Sequence, residues 1–234
     1  MELTTERLIL RECKESDWPD VLAYQSDPRY LRYYEWTKRT PEAAQEFVQM
    51  FLAQQREQPR TKFQLAITLK STNQLIGNCG IRMQSVDAHE ADIGYELSPD
   101  HWGRGYATEA ASAIVAFGFT ELRVHRIWSW CVADNAGSAR VLHKLGMRLE
   151  GRLRDKEYYK GRRVKSNDNV TEGAISQIVP SHENVTQLLE YGAPSSSGLW
   201  LCGQVPTSLS LLLALGGLVH IAISPPGPQC HDCP

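Results

Sequence analysis

The order of apolar and polar positions along the chain predicts strands and helices in alternation. Strict alternation predicts strands with one buried face, and recurrence every three to four residues predicts helices. Two helices have recognisable starts, at Thr40-Pro41-Glu42 and at Asp134-Asn135. The predicted strands cover residues 3–11, 63–69, 75–82, 90–97, 126–132 and 147–159. The predicted helices cover residues 16–27, 40–56, 107–118 and 135–146.

Residues 90–132 form a predicted strand–helix–strand unit. Its two strands should be parallel and its crossover right-handed. The second strand, Arg126–Val132, reads RIWSWCV. This apolar run without clean alternation predicts a strand buried on both faces, with Trp128 and Trp130 in the core. The expected fold class is α/β, with an α+β mixed central sheet flanked by helices.

Composition narrows the classes of partner. The chain has 234 residues, a net charge of -2 and 42% hydrophobic residues, which suits a globular protein with a sizeable core. It has no basic surplus, so nucleic acid is not expected as a partner. The N-terminus lacks the pattern of a secretory signal, and the cysteines are scattered like reduced cytoplasmic thiols. The apolar run Leu209–Ile223 is shorter than the ~20 residues of a membrane span. We therefore expect a cytoplasmic protein without a membrane partner, either monomeric or a homodimer.

A glycine-rich stretch follows the strand of residues 90–97 and opens the next helix. It reads HWGRGYATEA, from His101 to Ala110. Glycine lets the backbone approach a bulky anion, and a helix N-terminus offers unpaired N–H groups and a positive dipole end. Gly103 to Thr108 are therefore a candidate cradle for a pyrophosphate, with a plain strand–helix turn as the alternative. The dinucleotide fingerprint fits poorly, since Thr108 takes the place of its third glycine, and the G-K-[ST] of a P-loop is absent.

Two stretches, IGYELSPDHWGRGYATEA and DNAGSARVLHKLGM, resemble the Gcn5-related N-acetyltransferase (GNAT) superfamily. They look most like the branch that acetylates N-terminal amines of ribosomal proteins, and the resemblance covers residues 3–161 with the opening TTERLILRE. It implies a twisted mixed sheet whose parallel strands splay apart beyond Leu97 to admit acetyl-CoA. The family motif Q/R-x-x-G-x-G/A falls on Trp102, Gly105 and Ala107, and only Trp102 departs from it.

The resemblance also implies which residues bind acetyl-CoA. The pyrophosphate would be held by loop and helix N–H groups of Gly103, Arg104, Gly105, Tyr106, Ala107 and Thr108. The pantetheine arm would pair with the strand end at Leu97 and Ser98 and hydrogen-bond the side-chain amide of Asn135. The adenosine-side phosphates would face Arg140 and Lys144. Ser138 lies one turn further along the helix, within reach of the thioester sulfur.

Acetyl transfer to an amine needs a base, an oxyanion donor and a proton for the leaving thiolate. In the family, the amine attacks the thioester directly. Glu96 is the candidate base, directly or through a water, and a solvated strand carboxylate or a salt-bridge partner is the alternative. The N–H near Leu97 is the candidate oxyanion donor. Ser138 is the candidate proton donor, with helix capping as its alternative, and Tyr106 is assigned to positioning and packing.

The acetyl acceptor is the open part of this interpretation. A protein N-terminal amine is favoured by the resemblance, and a small-molecule amine such as a polyamine or an antibiotic is the alternative. The rival from another class is a non-catalytic acyl-CoA-binding module. Aromatic residues around the first two helices either line an acceptor groove or fill the core. They are Trp18, Tyr30, Tyr33, Tyr34 and Trp36.

The remaining cysteines and histidines are not expected to take part in catalysis or in metal binding. Cys131 is expected to be a small apolar filler of its strand. The histidines share no ligand spacing and are expected at the surface or in loops; they include His101, His125 and His143. No metal is expected, because Cys230-His231-Asp232-Cys233 supplies only half of a zinc site.

Beyond Gly161 the chain departs from the family pattern. We expect an acetyltransferase domain of residues 1–161 and an atypical C-terminal extension of residues 162–234. The final strand of the family is not legible there. A poorly folded extension, an altered reading frame, or a strand formed by Gly173–Val179 would each account for this. The abrupt shift toward Ser, Pro, Gly and Leu favours the altered reading frame.

Overall fold

The structure is a computed structural model that describes residues 1–34, 36–132, 134–153 and 173–178, the last stretch by its backbone path. The strands are β1 (Glu2–Thr4), β2 (Leu8–Glu12), β3 (Lys62–Leu69), β4 (Leu75–Met83), β5 (Glu90–Leu97), β6 (Arg126–Val132), β7 (Arg148–Leu153) and β8 (Gly173–Ile178). The helices are α1 (Trp18–Gln25), α2 (Pro28–Leu31), α3 (Pro41–Arg56), α4 (Tyr106–Thr120) and α5 (Ala136–Lys144). Within the described residues, the strands form one mixed sheet in the order β1-β2-β3-β4-β5-β6-β8-β7.

Helices cover both faces of this sheet. Along β3, Leu65 and Ile67 belong to one apolar cluster and Ala66 to another, because successive side chains of a strand point to opposite faces. The first cluster also takes in Ile114 of α4 and Leu142 of α5. The second is formed with α1, α2 and α3. The expected mixed α/β architecture is confirmed.

The predicted first strand, residues 3–11, is a hairpin of two strands. Thr5 breaks it, because its N–H donates to the Leu8 carbonyl at 3.0 Å and its hydroxyl accepts from the Leu8 N–H at 3.1 Å. β1 and β2 then pair antiparallel on either side of this turn. The apolar and polar pattern could not reveal the turn, since Thr and Glu also occur in strands.

The two predicted helix starts are confirmed by their capping contacts. The Thr40 hydroxyl accepts from the Ala43 N–H at 3.2 Å before α3, and Asn135 Oδ1 accepts from the Ser138 N–H at 3.0 Å before α5. Each contact satisfies one of the N–H groups that have no partner in the first turn of a helix.

β5 and β6 are parallel, as the strand–helix–strand pattern predicts. β8 pairs antiparallel with β6 on one side and with β7 on the other. The interpretation in which the chain around residues 173–179 supplies a missing strand agrees with this pairing. The domain boundary expected after Gly161 therefore precedes β8, so a strand of this sheet comes from the predicted C-terminal extension. The apolar run Leu209–Ile223 and the Cys230-His231-Asp232-Cys233 stretch lie outside the described residues.

The prediction that β6 is buried on both faces is wrong. Ile127, Ser129 and Cys131 are buried, but Trp130 is 38% exposed. The face that carries Ile127 and Cys131 packs into the first apolar cluster, whereas no described residue of β6 belongs to the second cluster, which covers the other face of the sheet. Across the described part of the chain, no helix combines the length and apolarity needed to cross a membrane.

Candidate active site

The two parallel strands separate early and leave a gap inside the sheet. β5 pairs with β6 only from Glu90 to Asp92, although β5 continues to Leu97. At the next residue, the Ser129 hydroxyl of β6 donates to the Ile93 carbonyl of β5 at 2.9 Å. A side chain thus takes the place of a backbone donor, which widens the spacing. The splay expected beyond Leu97 begins directly after Asp92.

Backbone groups at the end of β5 face into this gap. The Ser98 N–H donates to the Ile76 carbonyl of β4 at 2.7 Å. Because N–H and C=O groups alternate sides along a strand, those of Tyr95 and Leu97 point the other way, toward the gap. The indole Nε1 of Trp102 donates to the Leu97 carbonyl at 2.7 Å. Of the two residues predicted to pair with pantetheine, Leu97 is turned toward the gap, whereas the amide of Ser98 is turned toward β4.

The gap opens into a cavity of about 720 Å³. Most of the predicted cofactor-binding residues line it: Leu97, Gly103, Gly105, Tyr106, Ala107, Thr108, Asn135, Ser138, Arg140 and Lys144. Glu96, Ser98 and Arg104 are not among the described residues that line it. Residues from β5, α4, β6 and α5 thus meet around one space.

The glycine-rich loop has the backbone form of an anion cradle. Gly103 and Gly105 have φ angles of +74° and +84°, in the left-handed region that favours glycine. α4 starts immediately after, at Tyr106, and runs for 15 residues. The first N–H groups of such a helix have no intrahelical partner and carry the positive end of the dipole. Both glycines, Tyr106, Ala107 and Thr108 border the cavity, so this end of α4 faces the space where an anion would bind.

Glu96 lies on the opposite face of β5 from Tyr95, as strand alternation predicts, and holds four hydrogen bonds. Its Oε2 accepts from the Tyr24 hydroxyl at 3.2 Å, from Gln25 Nε2 at 3.0 Å and from Asn78 Nδ2 at 3.1 Å. Its Oε1 accepts only from the Tyr34 hydroxyl, at 3.4 Å. The alternative of a solvated strand carboxylate does not describe this partly buried, four-donor setting. Of its two oxygens, Oε1 keeps more room for another donor.

The tyrosines around Glu96 remain protonated donors. Burial, together with the charge of Glu96, raises the pKa of Tyr24 and of Tyr34 well above the ordinary value. Gln25 is fully buried, and its Oε1 accepts from Arg39 Nε at 2.7 Å, which fixes the amide so that Nε2 faces Glu96. Tyr34 borders the cavity whereas Glu96 does not, so Tyr34 stands between them.

Ser138 contacts Tyr95, which lies on the face of β5 opposite to Glu96. The Tyr95 hydroxyl lies 2.8 Å from Ser138 Oγ and donates to the Ser138 carbonyl at 3.1 Å. The capping of α5 is done by the Asn135 side chain, which leaves the Ser138 hydroxyl free for Tyr95 and for the cavity. Tyr95 itself borders the cavity.

Three further residues, Cys131, His101 and Trp130, line the cavity, although the sequence predicted other places for them. Cys131 is a filler of its strand, only 6% exposed, yet it borders the cavity, and burial raises the pKa of its thiol. His101 also lines the cavity rather than the open surface, and burial lowers its pKa. Trp130 borders the cavity as well. Cys131 and Trp130 border the cavity because β5 and β6 diverge there, and no local sequence pattern predicts where two strands diverge.

The aromatic residues near the first helices divide between core and cavity wall. Tyr30 stacks on Tyr34 with ring centroids 4.4 Å apart, and Tyr34 stacks on Trp36 at 4.7 Å. Tyr30 and Tyr34 also line the cavity with Tyr33, and Trp18 packs against the second apolar cluster. The structure thus places Tyr30, Tyr33 and Tyr34 at the cavity and Trp18 against the core, and the role of the first three toward an acceptor stays a prediction. Among the described side chains, no cluster of three or more His, Cys, Asp or Glu could hold a metal ion.

Comparison with known proteins gives one consistent family. Residues 7–148 match the acetyltransferase (GNAT) domain. An N-acetyltransferase named p20 from Bacillus licheniformis is 36% identical over 163 residues, which are 69% of this chain and 90% of that protein.

Solved structures are similar in fold. One is RimL, a ribosomal α-N-protein acetyltransferase in complex with coenzyme A, with a TM-score of 0.65 at 19% identity over 76% of this chain and 98% of that one. Another is a spermidine N-acetyltransferase from Vibrio cholerae with coenzyme A and spermine, with a TM-score of 0.60 at 16% identity over 74% of this chain and 95% of that one.

Proposed function

The chain belongs to the GNAT family of N-acetyltransferases, and on that premise we propose that it moves the acetyl group of acetyl-CoA to the N-terminal α-amine of a protein. The observation that carries the proposal is the gap between β5 and β6. It joins a glycine-rich helix N-terminus, a strand edge that faces the gap and the candidate catalytic Ser138 in one cavity, with Glu96 behind the cavity-lining Tyr34.

Different groups along the cavity bind the successive parts of acetyl-CoA. The N–H groups from Arg104 to Thr108 hold the pyrophosphate, together with the dipole of α4. The Leu97 backbone pairs with the pantetheine arm, as a strand edge pairs with an added chain. Asn135 Nδ2 is available to the same arm because only Oδ1 is used for capping. Arg140 and Lys144 lie on the cavity side of α5, where they meet the phosphates near the adenosine.

Glu96 acts as the base for the attacking amine. Its Oε1, which holds one long hydrogen bond, receives the proton. Because Tyr34 separates Glu96 from the cavity, the proton passes through the Tyr34 hydroxyl or a water. The amine attacks the thioester carbon and forms the C–N bond, and the C–S bond breaks as the tetrahedral intermediate collapses. The Leu97 N–H meets the oxyanion, and Ser138 donates a hydrogen bond to the departing thiolate.

The protonation state of the acceptor amine favours an α-amine over a lysine-type amine. An α-amine has a pKa near ~8, against ~10 for a lysine-type amine, so it presents far more of the neutral form at pH 7. An α-amine therefore loses its proton and reaches the reactive neutral form more readily than a lysine-type amine does. A polyamine is the second candidate, because the exposed rings of Trp102 and Trp130 beside the cavity can hold a cation. A cytoplasmic location is part of the proposal, and the free buried Cys13, Cys79 and Cys131 suit a reducing compartment.

An acceptor screen tests this proposal. Release of free CoA from acetyl-CoA is measured with three acceptors: a peptide with a free N-terminus and no lysine, the same peptide with a blocked N-terminus and one lysine, and spermidine. We expect turnover with the first, and mass spectrometry should place the acetyl group on its α-amine. Turnover with spermidine alone would make the polyamine the acceptor. No turnover with any amine, despite tight acetyl-CoA binding, would leave a non-catalytic binding module.

A further inference from the structure

Arg7 reaches from the turn between β1 and β2 to the glycine-rich loop, nearly a hundred residues away in sequence. Its Nη1 donates to the Arg104 carbonyl at 3.0 Å. Its guanidinium carbon lies 4.5 Å from the centroid of the Tyr106 ring, over the ring face. Its Nε donates to Glu109 Oε2 at 2.7 Å, and its Nη2 lies 2.7 Å from the same oxygen. One side chain therefore contacts the loop, the first residue of α4 and the first turn of α4.

Glu109 of α4 binds the turn between β1 and β2 through its carboxylate. It is only 6% exposed, although it carries a charge. Its Oε1 accepts from the Thr5 hydroxyl at 2.6 Å and from the Arg7 N–H at 2.7 Å. A buried carboxylate is tolerated when it is paired and hydrogen-bonded, and here both oxygens are engaged. The N-terminal hairpin and α4 are thus joined by a charged contact between a buried carboxylate and a partly exposed guanidinium, which we call the Arg7–Glu109 latch.

The contact with the Arg104 carbonyl has a geometric consequence for the loop. A trans peptide is planar, and its C=O and N–H point in opposite directions. When Arg7 holds the Arg104 carbonyl, the Gly105 N–H in the same peptide plane must point away from Arg7. Gly105 borders the cavity, whereas Arg7 is not among the described residues that line it. Arg7 can therefore act on a bound anion through the orientation of the loop.

We infer that Arg7, held by Glu109, is a positioning residue that orients the peptide groups of the cradle for the pyrophosphate of acetyl-CoA. The inference rests on the proposed function in one respect, the assignment of the loop to the pyrophosphate. It assigns the opening hairpin a part in cofactor binding. A guanidinium suits the task because its planar fork holds a carboxylate and a carbonyl while it stacks on a ring, which a lysine ammonium cannot do.

The test compares two ligands and matched variants in the full chain. Calorimetry measures binding of CoA, which carries the pyrophosphate, and of pantetheine, which lacks it. The variants are Arg7→Lys, Arg7→Met and Glu109→Gln, and the control is Arg60→Lys. Arg60 makes the same kind of contact away from the cavity: it pairs with Glu12 at 2.7 and 3.1 Å, and its guanidinium lies 4.5 Å from the Phe63 ring centroid.

We expect both Arg7 variants to bind CoA about 10-fold or more weakly, as loss of one charge-assisted hydrogen bond implies. Pantetheine binding should stay within twofold of wild type, and Arg60→Lys should change neither affinity. In turnover, the KM for acetyl-CoA should rise while kcat stays within twofold. Glu109→Gln should shift CoA binding in the same direction, because the guanidinium loses its charged partner.

Each other outcome has a definite meaning. Wild-type CoA affinity in Arg7→Lys, with loss only in Arg7→Met, would show that charge and not positioning matters, and would overturn the inference. Equal losses for CoA and pantetheine, or loss of cooperative thermal unfolding, would show a contact needed for the fold alone and would also overturn it. If wild-type protein binds CoA no better than pantetheine, the pyrophosphate assignment in the proposed function fails instead.

Discussion

The Tyr95 hydroxyl of β5 lies 2.8 Å from Ser138 Oγ of α5 and joins these two elements beside the cavity. It also donates to the carbonyl of the same serine at 3.1 Å. When Tyr95 gives its one proton to the carbonyl, its oxygen accepts from the Ser138 hydroxyl, so the serine side chain is held in a defined position beside the cavity. The candidate proton donor for the thiolate is therefore oriented by a residue from the opposite wall.

Tyr95→Phe should lower kcat without changing acetyl-CoA affinity. The ring keeps its packing, and the loss of one hydrogen bond is expected to reduce kcat about 3- to 10-fold. Steady-state kinetics and calorimetry on the variant measure the two quantities. The double variant Tyr95→Phe, Ser138→Ala should be no slower than Ser138→Ala alone, because both changes remove the same contact. Fully additive losses would mean that Tyr95 acts independently of Ser138.

Glu96→Gln should slow acetyl transfer by about 100-fold or more, since a positioned base contributes that much or more to proton transfer. Acetyl-CoA binding should be unchanged, because Glu96 does not border the cavity. Glu90→Gln is the matched control on the same strand, where the carboxylate is half-exposed and pairs with Arg126. Turnover of Glu96→Gln equal to that of the control would remove Glu96 from the role of base.

The sequence and the structure agree where a local pattern determines the outcome. The left-handed glycines at 103 and 105, the cap at Asn135 and the face of β5 that carries Glu96 all follow from spacing and residue type. The partners of Glu96 do not, because Tyr24, Gln25 and Asn78 come from two different elements that only the fold brings together.

Tyr95 shows the limit of periodicity as an argument. Alternation correctly places its ring on the apolar face, but its hydroxyl meets a residue 43 positions away along the chain. The start of the splay was missed for a related reason. It depends on the Ser129 hydroxyl reaching the Ile93 carbonyl, a contact between residues that the apolar pattern treats as ordinary strand positions.

Ser129→Ala should destabilise the fold by about 1–3 kcal/mol. Ser129 is 4% exposed, and its removal leaves the Ile93 carbonyl without this donor at the edge of the gap. Urea unfolding measures the loss. Thr120→Val removes an exposed hydroxyl that bonds to the Ala116 carbonyl at 3.0 Å, and it should change stability much less. Equal effects of the two changes would show that the Ser129 contact is not special to the gap.

Stability should fall in alkaline solution. Burial raises the pKa of the Cys13 and Cys79 thiols from 9.0 to about 12, so folding favours their neutral form. This contribution is complete below pH 9 and is lost as the pH rises toward 12, by about 1.4 kcal/mol per pH unit for each thiol. Urea unfolding at pH 7, 9 and 10.5 measures the slope. Cys79→Ala should show a shallower decline than wild type, and an unchanged slope would contradict the assignment.

The early divergence of β5 and β6 also affects solubility. A strand whose N–H and C=O groups lack a neighbour is a template on which a strand of another molecule can add, and proteins usually protect such edges. Here the exposed edge lies in the middle of the sheet, between β4 and β6, where a foreign strand with its side chains has no lateral access. If the proposed function holds, this edge pairs with the narrow pantetheine arm, and its place inside the sheet shields the same groups from strands of other molecules. Local unfolding of β6 would expose the edge of β5, and strands of other molecules could then pair with it.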